Sequence, residues 1–481
     1  MTHRNGPNPL MIQLFCWCLL GLCLPPWALA APPAVALPQG IDLDLQRIHT
    51  AALQSPRGMA RLTELCDTIG HRLAGSVALE QAVLWAVAGL HADGQTNVRA
   101  EPVQVRAWKR GNESLQMLQP RSMPLTMIGL GNSSGTGPQG ITAQLLVVSD
   151  EADLQAHAAE AKGKIVLFDN AMAPWSREQG SGYGKAVRFR SGGRVLAGKL
   201  GAVAVLVRSV TAHSLNTPHT GATQDGPEVP AIAAAAVTVE HAQMLHRLAA
   251  LGPVRLHLTM DAHFDADRNS ANVLAEIQGY EHPEEIVVIG GHLDSWDVGQ
   301  GAHDDGAGVV HAMEALRIIR QLGLKPRRTI RVVLWTNEEN GLAGARAYAL
   351  AHAHELANTV AAIESDAGGF SPVGLGIEVT ETVRDGQGLA VAQLQRLLNL
   401  IAIPQFSEVN PGQAGADTSP LLKTGVPGLE LLTDGAHYFD YHHTAADTVD
   451  KVDPQQLQRG IDALASVAYV LAQWPGRLSR P

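Results

Sequence analysis

Histidines and carboxylates recur beside short apolar runs in the second half of the chain. In chain order they are His292, Asp294, Asp304, Asp305, Glu338, Glu339, Asp366 and His443. Imidazole and carboxylate groups together are a donor set that divalent metals accept. The chemistry that such a set can support is hydrolysis assisted by two metal ions.

Each part of this set also has a simpler interpretation when it is taken alone. His292 and Asp294 are two residues apart, so in an extended segment they share a face, and an acid near a ligating histidine can orient its ring. The alternative is a histidine at a strand end beside a solvated acid. Asp304 and Asp305 precede a predicted helix that starts at Gly306, where they could serve as a helix cap.

The adjacent acids Glu338 and Glu339 follow the predicted strand 329–335. Two neighbouring carboxylates beside a buried strand repel each other unless a cation compensates them. An exposed acidic turn before Gly341 is the alternative. Because the acids and histidines follow successive apolar runs in order, the set as a whole favours a metal site.

Apolar runs and helical segments alternate from Ser270 onward, which predicts the elements that would position this site. The predicted strands are 273–277, 286–289, 329–335, 360–363 and 428–432. The predicted helices are 306–322, 341–352, 389–401 and 454–471. This order predicts an α/β fold with a mostly parallel or mixed sheet and helices on both faces. Ligands gather beyond the carboxyl ends of such strands.

Composition excludes some classes of partner and indicates an exported protein. The chain has 481 residues and a net charge of −10, which argues against nucleic-acid binding. Arg4, an apolar core at 14–24 and a small-residue site at Ala28-Leu29-Ala30 predict a signal peptide over 1–30. We expect a secreted or periplasmic protein that begins near Ala31, with no membrane segment in its mature form. An uncleaved anchor is the alternative.

Cysteine usage fits the same picture. Cys16, Cys18 and Cys23 lie within the predicted signal peptide, so only Cys66 would remain in the mature chain. No intrachain disulfide is therefore expected. A chain of this length can rely on its hydrophobic core instead.

The sequence pattern changes over residues 123–264, where Gly-rich segments, predicted to be loops, alternate with short apolar runs, predicted to be strands. The runs at 162–168 and 201–207 resemble those of a protease-associated domain. We therefore expect a β-rich insert at 123–264. It would separate an N-terminal part of the main domain, 31–122, from the catalytic part, 265–481.

The motif residues together resemble the M28 family of zinc aminopeptidases and carboxypeptidases. The resemblance rests on 292–308, the Asn337-Glu338-Glu339 turn, Glu364-Ser365-Asp366 and 443–448. It implies a zinc-exopeptidase fold and two Zn²⁺ per subunit. Carried over by position, His292 and Asp366 would bind one ion, Glu339 and His443 the other, and Asp304 both.

The resemblance also implies the remaining roles. Glu338 would be the general base, acting on a metal-bridging hydroxide, and Asp294 would orient His292. A cis peptide bond would follow Asp304.

His303 and His442 are less secure as ligands. The family needs no ligand at the position of His303, and the spacing to Asp447-Thr448 favours His443 over His442.

The resemblance leaves the substrate partly open. Relatives that share the segment 291–302 cleave dipeptides with free termini, so a dipeptide or short peptide is the expected substrate, and a homodimer is the expected assembly. An aminopeptidase acting on longer peptides is the alternative within the family. A receptor-like binding protein that has lost its metals is less favoured, because every ligand position is filled here.

Overall fold

The structure is a computed structural model that describes residues 38–227, 229–380 and 386–478. The predicted signal peptide and its cleavage site near Ala30 lie outside these residues. Within the described ranges, no helix combines the length and the apolar character needed to cross a bilayer.

Helices and strands alternate along most of the described chain. The helices are α1 (Ile41–Gln54), α2 (Arg57–Glu64), α3 (Val77–Ala92), α4 (Glu151–Ala156), α5 (Ala158–Ala161), α6 (Tyr183–Lys199), α7 (Val239–Leu251), α8 (Ala307–Gln321), α9 (Ala343–Ala351), α10 (Gly386–Ile401), α11 (Ser419–Leu422), α12 (Tyr438–Tyr441) and α13 (Pro454–Gln473). The strands are β1 (Thr96–Val105), β2 (Trp108–Lys109), β3 (Glu113–Gln119), β4 (Met123–Leu125), β5 (Met127–Gly129), β6 (Ile141–Val148), β7 (Ile165–Phe168), β8 (Ala204–Arg208), β9 (Ala233–Val237), β10 (Arg255–Met260), β11 (His263–Phe264), β12 (Arg268–Ile277), β13 (His282–His292), β14 (Arg328–Trp335), β15 (Thr359–Glu364), β16 (Pro372–Glu378), β17 (Glu408–Pro411) and β18 (Gly428–Thr433).

The first sheet is mixed and has eight strands in the order β1-β12-β14-β13-β15-β18-β16-β17. Its centre, β14-β13-β15-β18, is parallel throughout. Strands β12 and β16 pair antiparallel with the two ends of this parallel block. The carboxyl ends of four neighbouring strands therefore meet at one edge of the sheet.

Alternate residues of the central strands enter two different cores, which is why these strands are apolar on both faces. In β13, Val287 and Ile289 pack into the core beneath α8 and α13. Ile286 and Val288 pack into the core on the opposite face, with Tyr348 of α9. The predicted α/β fold with helices on both faces of a mixed sheet is thus confirmed.

Helix α13 shows how local sequence fixes these covering helices. The Asp453 carboxylate accepts hydrogen bonds from the backbone N–H groups of Gln455 and Gln456, and Pro454 occupies the first helical turn. A proline there loses no backbone hydrogen bond, and an aspartate cap stabilises a helix by about 1 kcal/mol.

The chain leaves the first sheet after β1 and returns to it at β12. Between them it forms a second eight-stranded sheet in the order β4-β3-β10-β6-β7-β8-β9-β5. This sheet includes β3, which lies upstream of the predicted boundary at residue 123. Its assignment as a protease-associated domain stays a prediction.

The predicted strands and helices of the second half all exist, with ends shifted by a few residues. The sequence pattern predicts no strand at β16, because Gly374 and Gly376 interrupt its apolar run. Gly374 is required by packing, because a Cβ there would lie 2.1 Å from the Glu408 carbonyl oxygen of the neighbouring β17.

Candidate metal centre

The parallel edge of the first sheet brings the predicted site residues together. His292 is the last residue of β13, and Asp304 lies in the loop 302–306 that leads into α8. Glu339 follows β14, Asp366 follows β15, and His443 follows α12, which is reached from β18. Residues spread over the 292–443 range thus converge because their strands are neighbours.

Asp304 lies at the centre of this cluster. One of its carboxylate oxygens, Oδ1, is 3.1 Å from His292 Nε2, and the other, Oδ2, is 3.1 Å from His443 Nε2. His292 Nε2 is also 3.4 Å from Asp366 Oδ1, and His443 Nε2 is 3.1 Å from Glu339 Oε2. The Asp304 carboxylate thus faces two separate groups of donor atoms, one on each oxygen.

Each group is close enough to surround one cation. The donor atoms of His292, Asp304 and Asp366 lie within 4.8 Å of one another. Around the other oxygen of Asp304, the donor atoms of Asp304, His442 and His443 also lie within 4.8 Å of one another. His442 Nε2 is 3.7 Å from Asp304 Oδ2, farther than His443 Nε2, and the two imidazole rings stack with their centroids 3.5 Å apart.

Whether a metal fits this cluster can be judged from the hydrogen bonds of its buried donor atoms. Among the described residues, four atoms of the cluster are buried and form no hydrogen bond of acceptable geometry: His292 Nε2, Asp304 Oδ2, Glu339 Oε1 and Asp366 Oδ1. Buried polar atoms are normally satisfied, so this concentration needs an explanation. Metal coordination explains it, and the donor types are those that zinc accepts.

The electrostatics of the metal-free cluster point the same way. Burial opposes the charged form of His292, but Asp366 and Asp304 outweigh it and raise the pKa of His292 well above its usual value. Burial works against the charged form of Asp304 as well, yet the imidazoles of His292 and His443, each 3.1 Å from one of its oxygens, hold the pKa of Asp304 well below normal. Burial, reinforced by the charge of Asp304, raises the pKa of Glu339 well above normal. In the metal-free protein, protons on His292 and Glu339 therefore offset the negative charge of the cluster. A bound cation would take over that role and displace the protons.

Two further carboxylates hold the loop that carries Asp304. Asp305 accepts hydrogen bonds from the backbone N–H groups of His292 and Gly308, at 2.9 Å each. Asp447 accepts from the backbone N–H groups of His303 and Asp304, at 2.8 and 3.1 Å. The peptide bond between Asp304 and Asp305 is cis, as the family resemblance implied.

The contacts of Asp294 differ from the expected ones. His292 Nδ1 lies 3.0 Å from the backbone carbonyl oxygen of Asp294 and 3.8 Å from its carboxylate. The Asp294 carboxylate instead accepts hydrogen bonds from the backbone N–H groups of Glu338 and Glu339, at 3.1 and 3.4 Å. The backbone of residue 294 therefore orients the imidazole, while its side chain holds the turn that carries the two glutamates.

His303 lies beside the cluster but turns away from it. Its Nδ1 accepts from the backbone N–H of Gly369, and its Nε2 lies 3.3 Å from the Lys451 carbonyl oxygen. Its ring stacks against Phe370 and Tyr441. With both nitrogens engaged, His303 has no lone pair to offer a metal.

His443 is held from the second-sheet region, which sequence reasoning did not foresee. Its Nδ1 lies 3.2 Å from the Thr220 carbonyl oxygen, and the Thr220 N–H donates to the His443 carbonyl oxygen. An Nδ1–H donated to Thr220 leaves the Nε2 lone pair directed at the cluster. Arg190 of α6 lies on the same side, 3.3 Å from His443 Nδ1. These contacts join segments 253 and 223 residues apart, so no local spacing in the sequence indicates them.

A cleft of about 780 Å³ opens onto the cluster. Its walls come from the end of the first sheet, from the segment 175–190 and from the turns around 410–416 and 435–443. A volume of this size is typical of small-molecule and peptide sites.

Known proteins resemble this chain over most of its length. Residues 272–468 match the model of Peptidase family M28. Carboxypeptidase Q from Homo sapiens is 41% identical over 88% of this chain and 87% of that protein. The crystal structure of a Peptidase M28 precursor from Shewanella amazonensis superposes with a TM-score of 0.85 at 36% identity, over 92% of this chain and 98% of that one. A zinc aminopeptidase from Bacillus subtilis shares the fold, with a TM-score of 0.63 at 21% identity, over 86% and 94% of the two chains.

The fold, the buried cluster and these matches define a metallo-exopeptidase. The chain belongs to peptidase family M28, since the match to carboxypeptidase Q spans nearly all of both proteins. The family resemblance seen in the sequence is thereby confirmed.

Proposed function

We propose that the protein is a secreted, two-zinc exopeptidase that hydrolyses dipeptides or short peptides with free termini. The observation that carries this proposal is the position of Asp304 between two groups of otherwise unsatisfied donor atoms. His292 and Asp366 would hold one ion, Glu339 and His443 the other, and Asp304 both. Two zinc ions supply Lewis acidity, which activates a water molecule and polarises the scissile carbonyl.

Glu339 is preferred to His442 as the last ligand of the second ion. Its Oε2 lies 3.1 Å from His443 Nε2, and its Oε1 is buried without a hydrogen bond. His442 instead packs among aromatic rings, with Tyr183, Tyr438 and Phe439 each about 5 Å away between ring centroids. Those surroundings suit a neutral ring in the wall of the cleft.

Glu338 is the group that would move the proton. It lines the cleft beside the ligands, and its backbone N–H is held by the Asp294 carboxylate. Burial, together with Asp366 and Asp294, raises the pKa of Glu338 to about 8, despite the opposing effect of His292. That pKa belongs to the metal-free protein; a bound cation would favour the ionised carboxylate, which can take a proton from water and return it to the leaving amine.

The preference for short substrates rests on the similarity to carboxypeptidase Q, which exceeds that to the aminopeptidases. The second candidate is an aminopeptidase acting on longer peptides, because relatives of that name share the fold and part of the sequence. Both activities require the same metals and the same base. The two activities differ in whether the cleft binds the free carboxyl terminus of a short peptide or leaves room for a longer chain beyond it.

A peptide panel separates these two functions. The purified protein, loaded with zinc, is assayed on a dipeptide, on its tripeptide and hexapeptide extensions, and on amino-blocked and carboxyl-blocked forms. Hydrolysis of the free dipeptide that declines with length and with either block supports the proposal. Equal or faster cleavage of the longer peptides supports the aminopeptidase. Activity that survives a chelator contradicts both.

Export is part of the same proposal and rests on the pattern in residues 1–30. Expression of the full chain followed by fractionation should place the enzyme outside the cytoplasm, and sequencing of its amino terminus should begin near Ala31. Recovery from the cytoplasm with Met1 retained contradicts it.

A further inference from the structure

Arg190 differs from the other buried arginines in how its charge is compensated. Within the described ranges the others are Arg61, Arg72, Arg194, Arg317, Arg328 and Arg331. All but Arg72 form ion pairs with carboxylates. Arg72 instead donates to four backbone carbonyl oxygens. A buried guanidinium normally needs partners of this kind, because removing its charge from water is costly.

Arg190 has neither kind of partner in the part of the chain that the structure describes. Its Nη2 donates to the Tyr183 hydroxyl at 2.9 Å, and its Nε is buried without a hydrogen bond. Its Nη1 lies 3.3 Å from His443 Nδ1. His443 Nδ1 cannot accept a hydrogen bond from Arg190 while it donates its own hydrogen to the Thr220 carbonyl oxygen. The guanidinium is therefore left with a single neutral acceptor.

The unpaired guanidinium lies in the wall of the cleft, beside the candidate metal centre. Its place is built into the fold, since a Cβ on Gly221 would lie 2.4 Å from Arg190 Cζ. The Tyr183 hydroxyl beside it can also donate a hydrogen bond. Two N–H groups of a planar guanidinium match the two oxygens of a carboxylate.

We propose that the Arg190 guanidinium binds a carboxylate of the substrate. This inference rests on the proposed peptidase function and specifies its substrate class. The guanidinium offers such a carboxylate a positive partner of its own beside the cluster, separate from the ions that the cluster would hold. The carboxylate can come from the carboxyl terminus of a short peptide or from an acidic side chain, and the experiment distinguishes these sources.

The kinetic test compares substrates that differ only in one carboxylate. The first pair is Ala-Ala and its carboxyl-terminal amide, and the second is Ala-Glu amide and Ala-Gln amide. The wild-type enzyme should prefer the acid within one pair, and that pair names the source. Arg190→Met should lower this preference, as a ratio of kcat/KM values, by about 100-fold, with Arg190→Lys in between.

Arg177→Met is the matched control. Arg177 lines the same cleft but is 64% exposed in its side chain and already paired with Glu408. Its loss should leave the ratio unchanged. The proposal is overturned if wild type shows no preference in either pair, or if Arg190→Met slows acid and amide equally. Zinc loss in Arg190→Met would show that Arg190 supports His443 instead, and also overturns it.

A binding measurement separates this inference from the proposed function. Calorimetry with zinc-loaded Glu338→Gln protein compares the affinity for the preferred acid and its neutral partner, with and without Arg190→Met. A preference that disappears with Arg190 supports the inference even if no peptide is hydrolysed, in which case only the peptidase proposal fails. Equal binding of acid and neutral partner overturns the inference even if hydrolysis is observed.

Discussion

The two sheets of this protein each contain four neighbouring parallel strands, but their carboxyl edges carry different charge. In the second sheet, Asp169 follows β7 and is paired with Arg208 at the end of β8, at 3.1 Å, and with His246 at 2.7 Å. In the first sheet, the partners of Asp304, Glu339 and Asp366 among the described residues are the histidines His292, His442 and His443, with no arginine or lysine paired to them. Both edges gather polar side chains, but only the first leaves an acidic excess for a cation to balance.

The largest effect is expected at Glu338, the proposed base at the first edge. Glu338→Gln keeps the shape of the side chain but cannot accept a proton, so kcat should fall by about 10³- to 10⁴-fold. Bound zinc, measured by elemental analysis, should stay at the wild-type level. A zinc-loaded variant with near wild-type kcat would exclude Glu338 as the base.

The second effect concerns the residue shared by both groups of donors. Asp304→Asn removes the negative charge between them and should weaken zinc binding by at least about 100-fold, as measured with a competing chelator. Asp169→Asn at the other edge is the matched control and should bind zinc normally. Equal zinc affinity in the two variants would contradict the claim that the metals bind at the first edge and not at the second.

The third effect is a pH dependence that the metal-free protein should show. Burial raises the pKa of Glu338 to about 8 and, with Asp366, the pKa of Glu430 to about 7, from a usual value of 4.5. Because the folded state holds these protons more tightly, their contribution to stability is complete below pH 4.5 and is lost as the pH rises towards 8. Urea unfolding across this range should show the free energy of unfolding declining.

Zinc should weaken that decline, because bound cations favour the ionised carboxylates. The same titration with saturating zinc is therefore the control. A metal-free protein whose stability rises with pH over this range would contradict the electrostatic account.

The smallest effect is expected at the second edge. Asp169→Asn removes the charge from a hydrogen-bonded, mostly buried pair with Arg208 and should lower the free energy of unfolding by about 1–3 kcal/mol. Peptidase activity of the folded protein should be unchanged. A large loss of activity without loss of stability would show that the second edge takes part in catalysis.

Much of the first sheet was predictable because its strands are continuous apolar runs followed at once by polar residues. The run 286–289 lies inside β13, and the acids after it reach one edge because parallel neighbours end together. Strand β16 was not predictable, since the glycines that allow β17 to approach also remove its apolar signal.

Contacts between distant segments were also beyond prediction. The Asp294 carboxylate was expected to orient His292, but it holds the turn at Glu338. Arg190 reaches His443 across the chain, and no spacing in the sequence marks that meeting. Local patterns predict which residues reach the edge of the sheet, whereas packing decides which atoms meet there.

The central claim is that two zinc ions share Asp304 at the first edge. Anomalous diffraction at the zinc absorption edge, from crystals of zinc-loaded protein, tests it most directly. Two peaks per chain are predicted, one between His292 and Asp366 and one between Glu339 and His443, both contacting the Asp304 carboxylate. A single peak, or two peaks of which one lies away from Asp304, would contradict the account.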